Sequence, residues 1–182
     1  MPATVSPDDL TRRCSSIELL LVDVDGVLTN GVIAVDDRGV ETKHFHVRDG
    51  SAIALWRKSG RKVAILSGRW APLVNRRASE LGIAPVIQGA GNKGEPFRKL
   101  LAELNLEPSQ VCYMGDDLAD LPVLLSAGLA ACPSDAVPEV QDVAHVVASV
   151  PGGRGAVREV VEVILRQQGA WETLVEGFRQ PA

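Results

Sequence analysis

The sequence has little cysteine and no strong excess of charge of either sign. Among 182 residues there are three cysteines, and 19 basic against 23 acidic side chains leave a formal net charge of −4. Cys14, Cys112 and Cys132 are far apart and odd in number, so they show neither metal-site nor disulfide spacing, and we expect reduced thiols of a cytoplasmic protein. No cluster of lysines and arginines supplies the basic surface that nucleic-acid binding requires, so we expect no nucleic-acid partner.

The sequence also lacks long apolar runs, and we expect no N-terminal leader. No stretch approaches the ~18 apolar residues that span a bilayer, so we expect no membrane association. The N-terminal residues Met-Pro-Ala-Thr-Val-Ser-Pro-Asp-Asp-Leu lack the basic start and apolar core of a signal peptide. What is present is an ordinary globular composition, 46% apolar and 23% charged. The length predicts a single domain over residues 1–182.

Apolar segments of strand length alternate with segments of helical period along the chain. This alternation predicts an α/β fold with a doubly wound, mainly parallel sheet covered by helices on both faces. The predicted strands are 17–22, 62–66, 111–114, 129–131 and 144–147. The predicted helices are about 51–58, 71–81, 94–104, 118–126 and 155–168. The chain ends, about 1–14 and 171–182, are expected to be loose.

Residues 31–47 interrupt this alternation. Two β-rich runs flank the sequence Asp-Asp-Arg-Gly, which is typical of a turn. The segment therefore predicts a β-hairpin flap that projects from the sheet directly after the first strand.

Polar side chains follow three predicted strands at the points where the strands end. Asp23 and Asp25 follow the first, Ser67 follows the second, and Asp116 and Asp117 follow the third. Because ligands of open parallel sheets bind outside the carboxyl ends of the strands, we expect these side chains to converge. Carboxylates that lie so close repel one another unless a cation lies among them, and oxygen ligands without thiols favour magnesium. A single acid at such a place is explained by capping, but the set is not.

The ordered set of motifs resembles the signature motifs of haloacid dehalogenase superfamily phosphatases. The motifs are Asp23-x-Asp25-Gly-Val, Ser67, Lys93 and Gly115-Asp116-x-x-x-Asp120. The resemblance implies that Asp23 attacks phosphorus, and that Asp25 protonates the leaving group and later activates water. Ser67 would donate to a phosphoryl oxygen and Lys93 would supply positive charge to the transferring group.

The same resemblance implies a magnesium cofactor. Asp23, Asp116 and the main-chain carbonyl of Asp25 are its expected ligands. Asp120 is expected to orient Lys93 or a metal-bound water. Asp117 is interpreted as an acid at a helix start in preference to a minor ligand.

Longer segments resemble the 3-deoxy-D-manno-octulosonate 8-phosphate (KDO 8-phosphate) phosphatase family of lipopolysaccharide precursor synthesis. The segments are 22–31, 47–50, 88–89 with 92–93, 115–118 and 152–159, and the resemblance covers about 17–168. It implies a protein without a cap domain, which agrees with the short interval between Asp23 and Asp49. It also implies a homotetramer in which hairpin flaps meet at the centre and neighbouring subunits help to close each active site. The C-terminal helix and tail would span about 153–182.

Residues that contact the substrate follow from this family resemblance. One segment that matches a substrate-contacting loop consists of His46, Val47, Arg48, Asp49 and Gly50. Arg69 and Arg77 match two further contact positions, and Arg154 is the candidate that a neighbour would contribute. A guanidinium suits the carboxylate of a sugar acid. Asp25 and Lys93 are expected to contact the phosphate end of the substrate.

Two substrates and two non-enzymatic functions remain as alternatives. Arg69 stands where phosphatases for nine-carbon sialic-type 9-phosphates tend to have Glu, which favours the eight-carbon substrate. Ala54 stands where some members have an Arg, and Asn30 where Asp is common, so a sialic-type 9-phosphate stays an alternative. A phospho-acceptor signalling module is disfavoured because Asp25, beside the acceptor, promotes loss of the acyl phosphate. A purely structural tetramer module is disfavoured by the intact set of acids.

Overall fold

The structure is a computed structural model that describes residues 5–179. The strands are β1 (Leu19–Val22), β2 (Ala34–Val35), β3 (Glu41–Thr42), β4 (Lys62–Leu66), β5 (Val86–Ile87), β6 (Val111–Met114), β7 (Leu129–Cys132) and β8 (Val146–Val147). The helices are α1 (Pro7–Ser15), α2 (Val47–Lys58), α3 (Pro72–Leu81), α4 (Gly94–Leu104), α5 (Leu121–Leu124), α6 (Pro138–Val143), α7 (Ala156–Gln167) and α8 (Trp171–Arg179). Short 3-10 turns occupy Pro108–Gln110 and Leu118–Asp120.

Six strands form one sheet in the order β5-β4-β1-β6-β7-β8, and every neighbouring pair in it is parallel. The strand β1 lies in the middle, where Leu21 pairs with Ala64 of β4 and with Tyr113 of β6. The chain fills one side of β1 first and then the other, so the strand order reverses there. Such a reversal opens a crevice at the carboxyl ends of the central strands.

Helices cover both faces of the sheet, and β1 shows how the core divides. Leu20 and Val22 pack into the core beneath α1, α2, α3, α7 and α8. Leu19 and Leu21 pack into the core beneath α4, α5 and α6. Because successive side chains of a strand point to opposite faces, a strand buried on both faces has an unbroken apolar run. The predicted doubly wound α/β fold is confirmed.

The predicted hairpin is also present. Strands β2 and β3 pair antiparallel, with Ala34 opposite Thr42 and Val35 opposite Glu41. The Asp36 side chain accepts from the backbone N–H groups of Arg38 and Val40 and so closes the turn. Between β1 and α2 the described chain contains this hairpin and no cap domain.

Both chain ends are more ordered than expected. The helix α1 lies within the segment predicted to be loose, and its Ser6 N-cap accepts from Asp9 N–H at 3.2 Å. Its Cys14 is fully buried beneath the sheet, which anchors the helix. The helix α8 is held by Trp171, whose ring lies 4.7 Å from the Arg158 guanidinium. The expectation of loose ends was therefore wrong for these two helices. Residues 1–4 and 180–182, to which the same expectation applied, lie outside the described residues.

Other differences are local. The strand β5 and the helix α6 were not predicted, since a two-residue strand and a six-residue helix carry too little periodicity. The predicted helix over 118–126 divides into a 3-10 turn and the four-residue α5. Within residues 5–179, no helix combines the length and the apolar character needed to cross a membrane.

Candidate active site

The carboxyl ends of β1, β4 and β6 border a cleft of about 250 Å³. It is lined by Asp23, Asp25, Gly31, Ser67, Gly68, Arg69, Lys93, Asp116, Asp117, Ala119 and Asp120. The structure thus brings the acids that follow β1 and β6 together with Ser67, which follows β4, and with Lys93. Five carboxylates against two cationic side chains leave the cleft with excess negative charge, so binding of an anionic ester there requires a further cation.

Lys93 and Asp23 are paired at the floor of the cleft. The Lys93 side chain is 2% exposed, and its ammonium lies 2.9 Å from Oδ2 of Asp23. It also donates to Oδ1 of Asp120 at 2.6 Å and to the Tyr113 hydroxyl at 3.3 Å. Burial by itself lowers the pKa of Lys93, but the Asp23 and Asp120 carboxylates more than offset this and raise it above its ordinary value. Lys93 is therefore a fixed positive charge beside Asp23.

Asp120 uses both of its oxygens within the protein. Oδ1 accepts from Lys93 and from the Tyr113 hydroxyl, the latter at 2.6 Å. Oδ2 accepts from the backbone N–H groups of Asp116 and Asp117 at 2.9 and 3.2 Å. These contacts fix Lys93 and the loop that carries Asp116. Tyr113 was missed by sequence reasoning, and its one signal is a hydroxyl within the buried run Val-Cys-Tyr-Met.

The acids of the cleft fit a divalent cation. Oxygens of Asp23, Asp116 and Asp120 lie within 4.8 Å of one another. Oδ1 of Asp23 is buried without a hydrogen-bond partner, which leaves a carboxylate oxygen free for a ligand bond. Burial, helped by the Asp23 and Asp120 charges, raises the pKa of Asp116 to about 7, and burial also raises the pKa of Asp23. A bound cation removes this penalty, because it favours the ionised form of both groups. The residues present therefore fit magnesium, and since Asp120 is already engaged, Asp23 and Asp116 are the side chains left to hold it.

Gly26 explains how Asp116 reaches this position. Its φ of +83° lies in the left-handed region, and a Cβ there would lie 1.9 Å from Oδ2 of Asp116. A side chain at position 26 would therefore push Asp116 out of the cleft. Asp117 accepts from Leu118 N–H at 2.7 Å and caps the 3-10 turn, which matches the helix-start interpretation.

Asp25 lies at the mouth of the cleft, where the hairpin meets it. Its Oδ1 accepts from the Lys43 ammonium, and its Oδ2 lies 3.5 Å from Nη1 of Arg69. Both cations also pair with Glu41, Lys43 at 2.9 Å and Arg69 at 3.0 Å. Sequence reasoning missed Lys43 and Glu41, because nothing in the hairpin sequence shows that it folds back onto the strand ends. Ser67 is buried opposite, at the end of β4.

The segment 46–50 is the first turn of α2 and not a loop. His46 caps the helix, with Nδ1 accepting from Arg48 N–H at 3.3 Å. Buried Asp49 accepts from the backbone N–H groups of Gly155 and Arg158 at 3.2 and 2.9 Å. The pKa of Asp49 is raised by burial and partly lowered again by these bonds. Asp49 therefore joins α2 to the start of α7, and the expectation that this segment forms a loop was wrong.

The other predicted substrate contacts do not reach the cleft of their own protomer. Arg77 lies beside Gly50, where a Cβ would be 2.6 Å from its Nη2, and both border a separate small cavity with His46. Arg48 and Arg154 line another cavity of about 390 Å³. Val47, which is 74% exposed, does not line the cleft. Ala54 is also exposed and lies in a groove against α8. Of the predicted arginines, only Arg69 lines the cleft within the described residues.

Comparison of the sequence with known proteins identifies its relatives. The model of the haloacid dehalogenase-like hydrolase family matches residues 41–128. The chain is 45% identical to the KDO 8-phosphate phosphatase of Yersinia pestis over 165 residues, which cover 91% of this chain and 88% of that protein. It is 44% identical to the Escherichia coli K12 enzyme of the same name over 161 residues, 88% and 86% of the two chains.

Solved structures give the same result. The crystal structure of the KDO 8-phosphate phosphatase from Moraxella catarrhalis, in complex with magnesium, phosphate and KDO, superposes with a TM-score of 0.93 at 36% identity. The superposition covers 96% of this chain and 100% of that one. A probable phosphatase from Pseudomonas syringae gives a TM-score of 0.94 at 42% identity, with 96% and 99% covered.

The fold is that of a haloacid dehalogenase-like hydrolase, the class whose family model also matches the sequence. At this level of identity over most of its length, the chain belongs to the family of KDO 8-phosphate phosphatases within that class. It is an enzyme, a phosphoric monoester hydrolase.

Proposed function

We propose that the chain hydrolyses KDO 8-phosphate to KDO and phosphate through a phosphoryl group carried on Asp23. The observation that carries this is the buried Asp23 carboxylate, one oxygen of which faces Lys93 while the other has no partner. A carboxylate held beside a fixed cation at the floor of a cleft is arranged for nucleophilic attack on phosphorus.

The reaction divides into two displacements at phosphorus. In the first, an oxygen of Asp23 bonds to phosphorus, the bond from phosphorus to the sugar oxygen breaks, and Asp25 gives that oxygen a proton. In the second, water attacks the phosphorus of the aspartyl phosphate, Asp25 takes the proton of the water, and the Asp23 carboxylate leaves. Phosphate is released, and both aspartates return to their starting protonation states. Lys93 neutralises charge on the phosphoryl oxygens in each step, and Ser67 donates to one of them.

Magnesium is the proposed cofactor. Asp23, Asp116 and the main-chain carbonyl of Asp25 would hold it, while Asp120 keeps Lys93 and the Asp116 loop in place. When bound, the ion screens the repulsion between the acidic cleft and the anionic ester and favours ionised Asp23. The magnesium in the Moraxella catarrhalis structure supports this choice.

Arg69 is the proposed anchor for the carboxylate of the sugar acid. Its guanidinium is partly exposed at the rim of the cleft and already binds one carboxylate, that of Glu41, through two nitrogens. Ala54, which departs from the family pattern, lines a groove against α8 and not this cleft. The departure therefore takes no side chain away from the cleft of its own protomer. A sialic-type 9-phosphate is the alternative substrate. The substrate contacts expected of His46–Gly50, Arg77 and Arg154 would have to be made with a substrate bound in the cleft of a neighbouring subunit.

The proposed assembly is a homotetramer that works in the cytoplasm, in lipopolysaccharide precursor synthesis. Its support is the hairpin, where Val32, Ile33, Val35 and Val40 are each more than half exposed. Apolar side chains clustered on a projecting element are typical of an interface. The three cysteines are free and buried, which suits a reducing compartment.

A substrate panel tests the proposal. Phosphate release is measured with magnesium and KDO 8-phosphate, a sialic-type 9-phosphate, simple sugar phosphates and p-nitrophenyl phosphate. We expect KDO 8-phosphate to give the highest kcat/KM. Turnover of KDO 8-phosphate no faster than that of p-nitrophenyl phosphate contradicts the proposed substrate.

A further inference from the structure

One lysine of the exposed hairpin has a buried side chain. Lys43 follows β3, and its side chain is only 2% exposed, whereas the apolar side chains of the same hairpin are more than half exposed. An ammonium that loses its water must be paired, since an unpaired buried charge is strongly destabilising. Lys43 donates to Oδ1 of Asp25 and lies 2.9 Å from Oε1 of Glu41.

Lys43 belongs to a closed ring of four charges. Glu41 pairs with Arg69 through both guanidinium nitrogens, at 3.0 and 3.3 Å, and Arg69 lies 3.5 Å from Oδ2 of Asp25. Two cations and two carboxylates alternate, so the ring carries no net charge. Each oxygen of Asp25 thus faces one cation, and Lys43 makes the shorter contact.

The position of the Asp25 carboxylate depends on these two contacts. Within residues 5–179 its side chain has no hydrogen bond apart from those to Lys43 and Arg69. Arg69 is shared with Glu41 and reaches Asp25 only at 3.5 Å. A general base must lie within hydrogen-bond reach of the proton it takes, and a misplacement of about 1 Å can cost on the order of 100-fold in rate.

We infer that Lys43 is a positioning residue, which holds the Asp25 carboxylate as the base for hydrolysis of the aspartyl phosphate. This inference rests on the proposed function, because it takes the role of Asp25 from there. The hairpin is then part of the catalytic apparatus, and its seating on the strand ends is a condition for turnover. An aryl oxide leaving group departs without a proton, so the first displacement then does not need Asp25 as an acid. With such a substrate, loss of Lys43 should slow the second displacement more than the first.

The test is pre-steady-state kinetics of the magnesium-loaded full chain with p-nitrophenyl phosphate. In Lys43→Met we expect steady-state turnover to fall about 10- to 100-fold while the first displacement persists. Release of p-nitrophenolate should then show a burst approaching one equivalent per site, and acid quench should show phosphorylated protein accumulating. Lys43→Arg keeps a cation and should restore most of the rate and remove the burst.

Two further variants make the result decisive. Arg38→Met removes an exposed cation from the same hairpin and should behave as wild type. Lys43→Gln replaces Lys43→Met if the latter does not fold. Turnover of the folded Lys43 variant at the wild-type rate overturns the inference, and so does a slow variant that accumulates no phosphorylated protein. The Asp25→Asn variant distinguishes failure of the inference about Lys43 from failure of the proposed function. If Asp25→Asn turns over normally and accumulates no phosphorylated protein, Asp25 is not the base. The proposed mechanism itself is then wrong.

Discussion

The ammonium of Lys93 lies 2.9 Å from Oδ2 of Asp23, and both side chains are buried. In a region with little water this contact is strong, and it is fixed before any substrate arrives. It explains how a carboxylate can be kept beside an anionic phosphate. Charge that develops on the phosphoryl oxygens meets a cation that does not need to reorganise.

Removal of this cation should damage both catalysis and stability. We expect Lys93→Met to lower kcat by about 100- to 1,000-fold, as removal of a preorganised electrostatic contact does. It should also destabilise the metal-free fold by about 3 kcal/mol, because Asp23 and Asp120 are left facing each other without compensation. Steady-state kinetics and thermal unfolding measure these effects. Lys99→Met is the matched control, since Lys99 is an exposed lysine of α4, the helix that begins directly after Lys93. A Lys93 variant within a few-fold of wild type would contradict the account.

Tyr113 hydrogen-bonds both Lys93 and Asp120. Tyr113→Phe removes the hydroxyl that donates to Oδ1 of Asp120 at 2.6 Å and leaves the ring in place. We expect a loss of about 1 kcal/mol in the free energy of unfolding. The rate should fall less than in Lys93→Met, with KM little changed, because the ammonium remains. A rise in KM with kcat unchanged would instead place Tyr113 in substrate binding.

Asp116 should make the metal-free protein less stable as the pH rises. Burial raises its pKa from 3.8 to about 7, so the folded state holds the proton more tightly than the unfolded state does. Stability is then lost between these two values as the pH increases, which is the opposite of a salt-bridged carboxylate. Asp116→Asn should therefore stabilise the metal-free protein at pH 8 by about 1 to 2 kcal/mol, a figure discounted for the partly exposed side chain.

The same variant should lose its response to magnesium. Wild-type protein should melt at a higher temperature when magnesium is added, whereas Asp116→Asn should respond weakly and turn over little substrate. Unfolding scans at pH 5 and pH 8, with and without magnesium, measure both effects. The account is wrong about Asp116 if the variant melts below wild type at pH 8 without metal, or if magnesium stabilises the two equally.

The hairpin should form the interface between subunits of the proposed tetramer. Ile33→Asp places a charge among the exposed apolar side chains of the flap and should shift the sedimentation mass from that of a tetramer towards that of one chain. Leu125→Asp is the control, since Leu125 is even more exposed, 70% against 54% for Ile33, but follows α5 and is not part of the flap. A monomeric wild type, or an Ile33→Asp variant that remains tetrameric, would contradict the proposed interface.

The parts of the fold that could be predicted are those with a strong local signal. Strands β4 and β6 were predicted to the residue, because a strand buried on both faces leaves a continuous apolar run with polar ends. The convergence of Asp23, Asp25 and Asp116 followed from strand ends alone. The helix α1 was missed because its sequence is largely polar, and its order comes from a cap and from one buried cysteine.

What could not be predicted depends on contacts between distant segments. Nothing near Lys43 shows that its ammonium reaches Asp25, and nothing near Tyr113 shows that its hydroxyl meets Asp120. The segment His46–Gly50 was expected to be a loop because it matches a substrate-contacting loop of the family. It is helical because His46 caps it and because Asp49 bonds the start of α7.

The central claim is that Asp23 carries the phosphoryl group. Its most direct test is rapid acid quench of the Asp25→Asn variant during reaction with p-nitrophenyl phosphate and magnesium, since this leaving group departs without a proton, followed by peptide mass spectrometry. The account predicts one added phosphoryl group per chain, on Asp23, and its absence together with loss of turnover in Asp23→Asn. Phosphorylation of a different residue, or an Asp23→Asn variant that hydrolyses the ester at close to the wild-type rate, would contradict it.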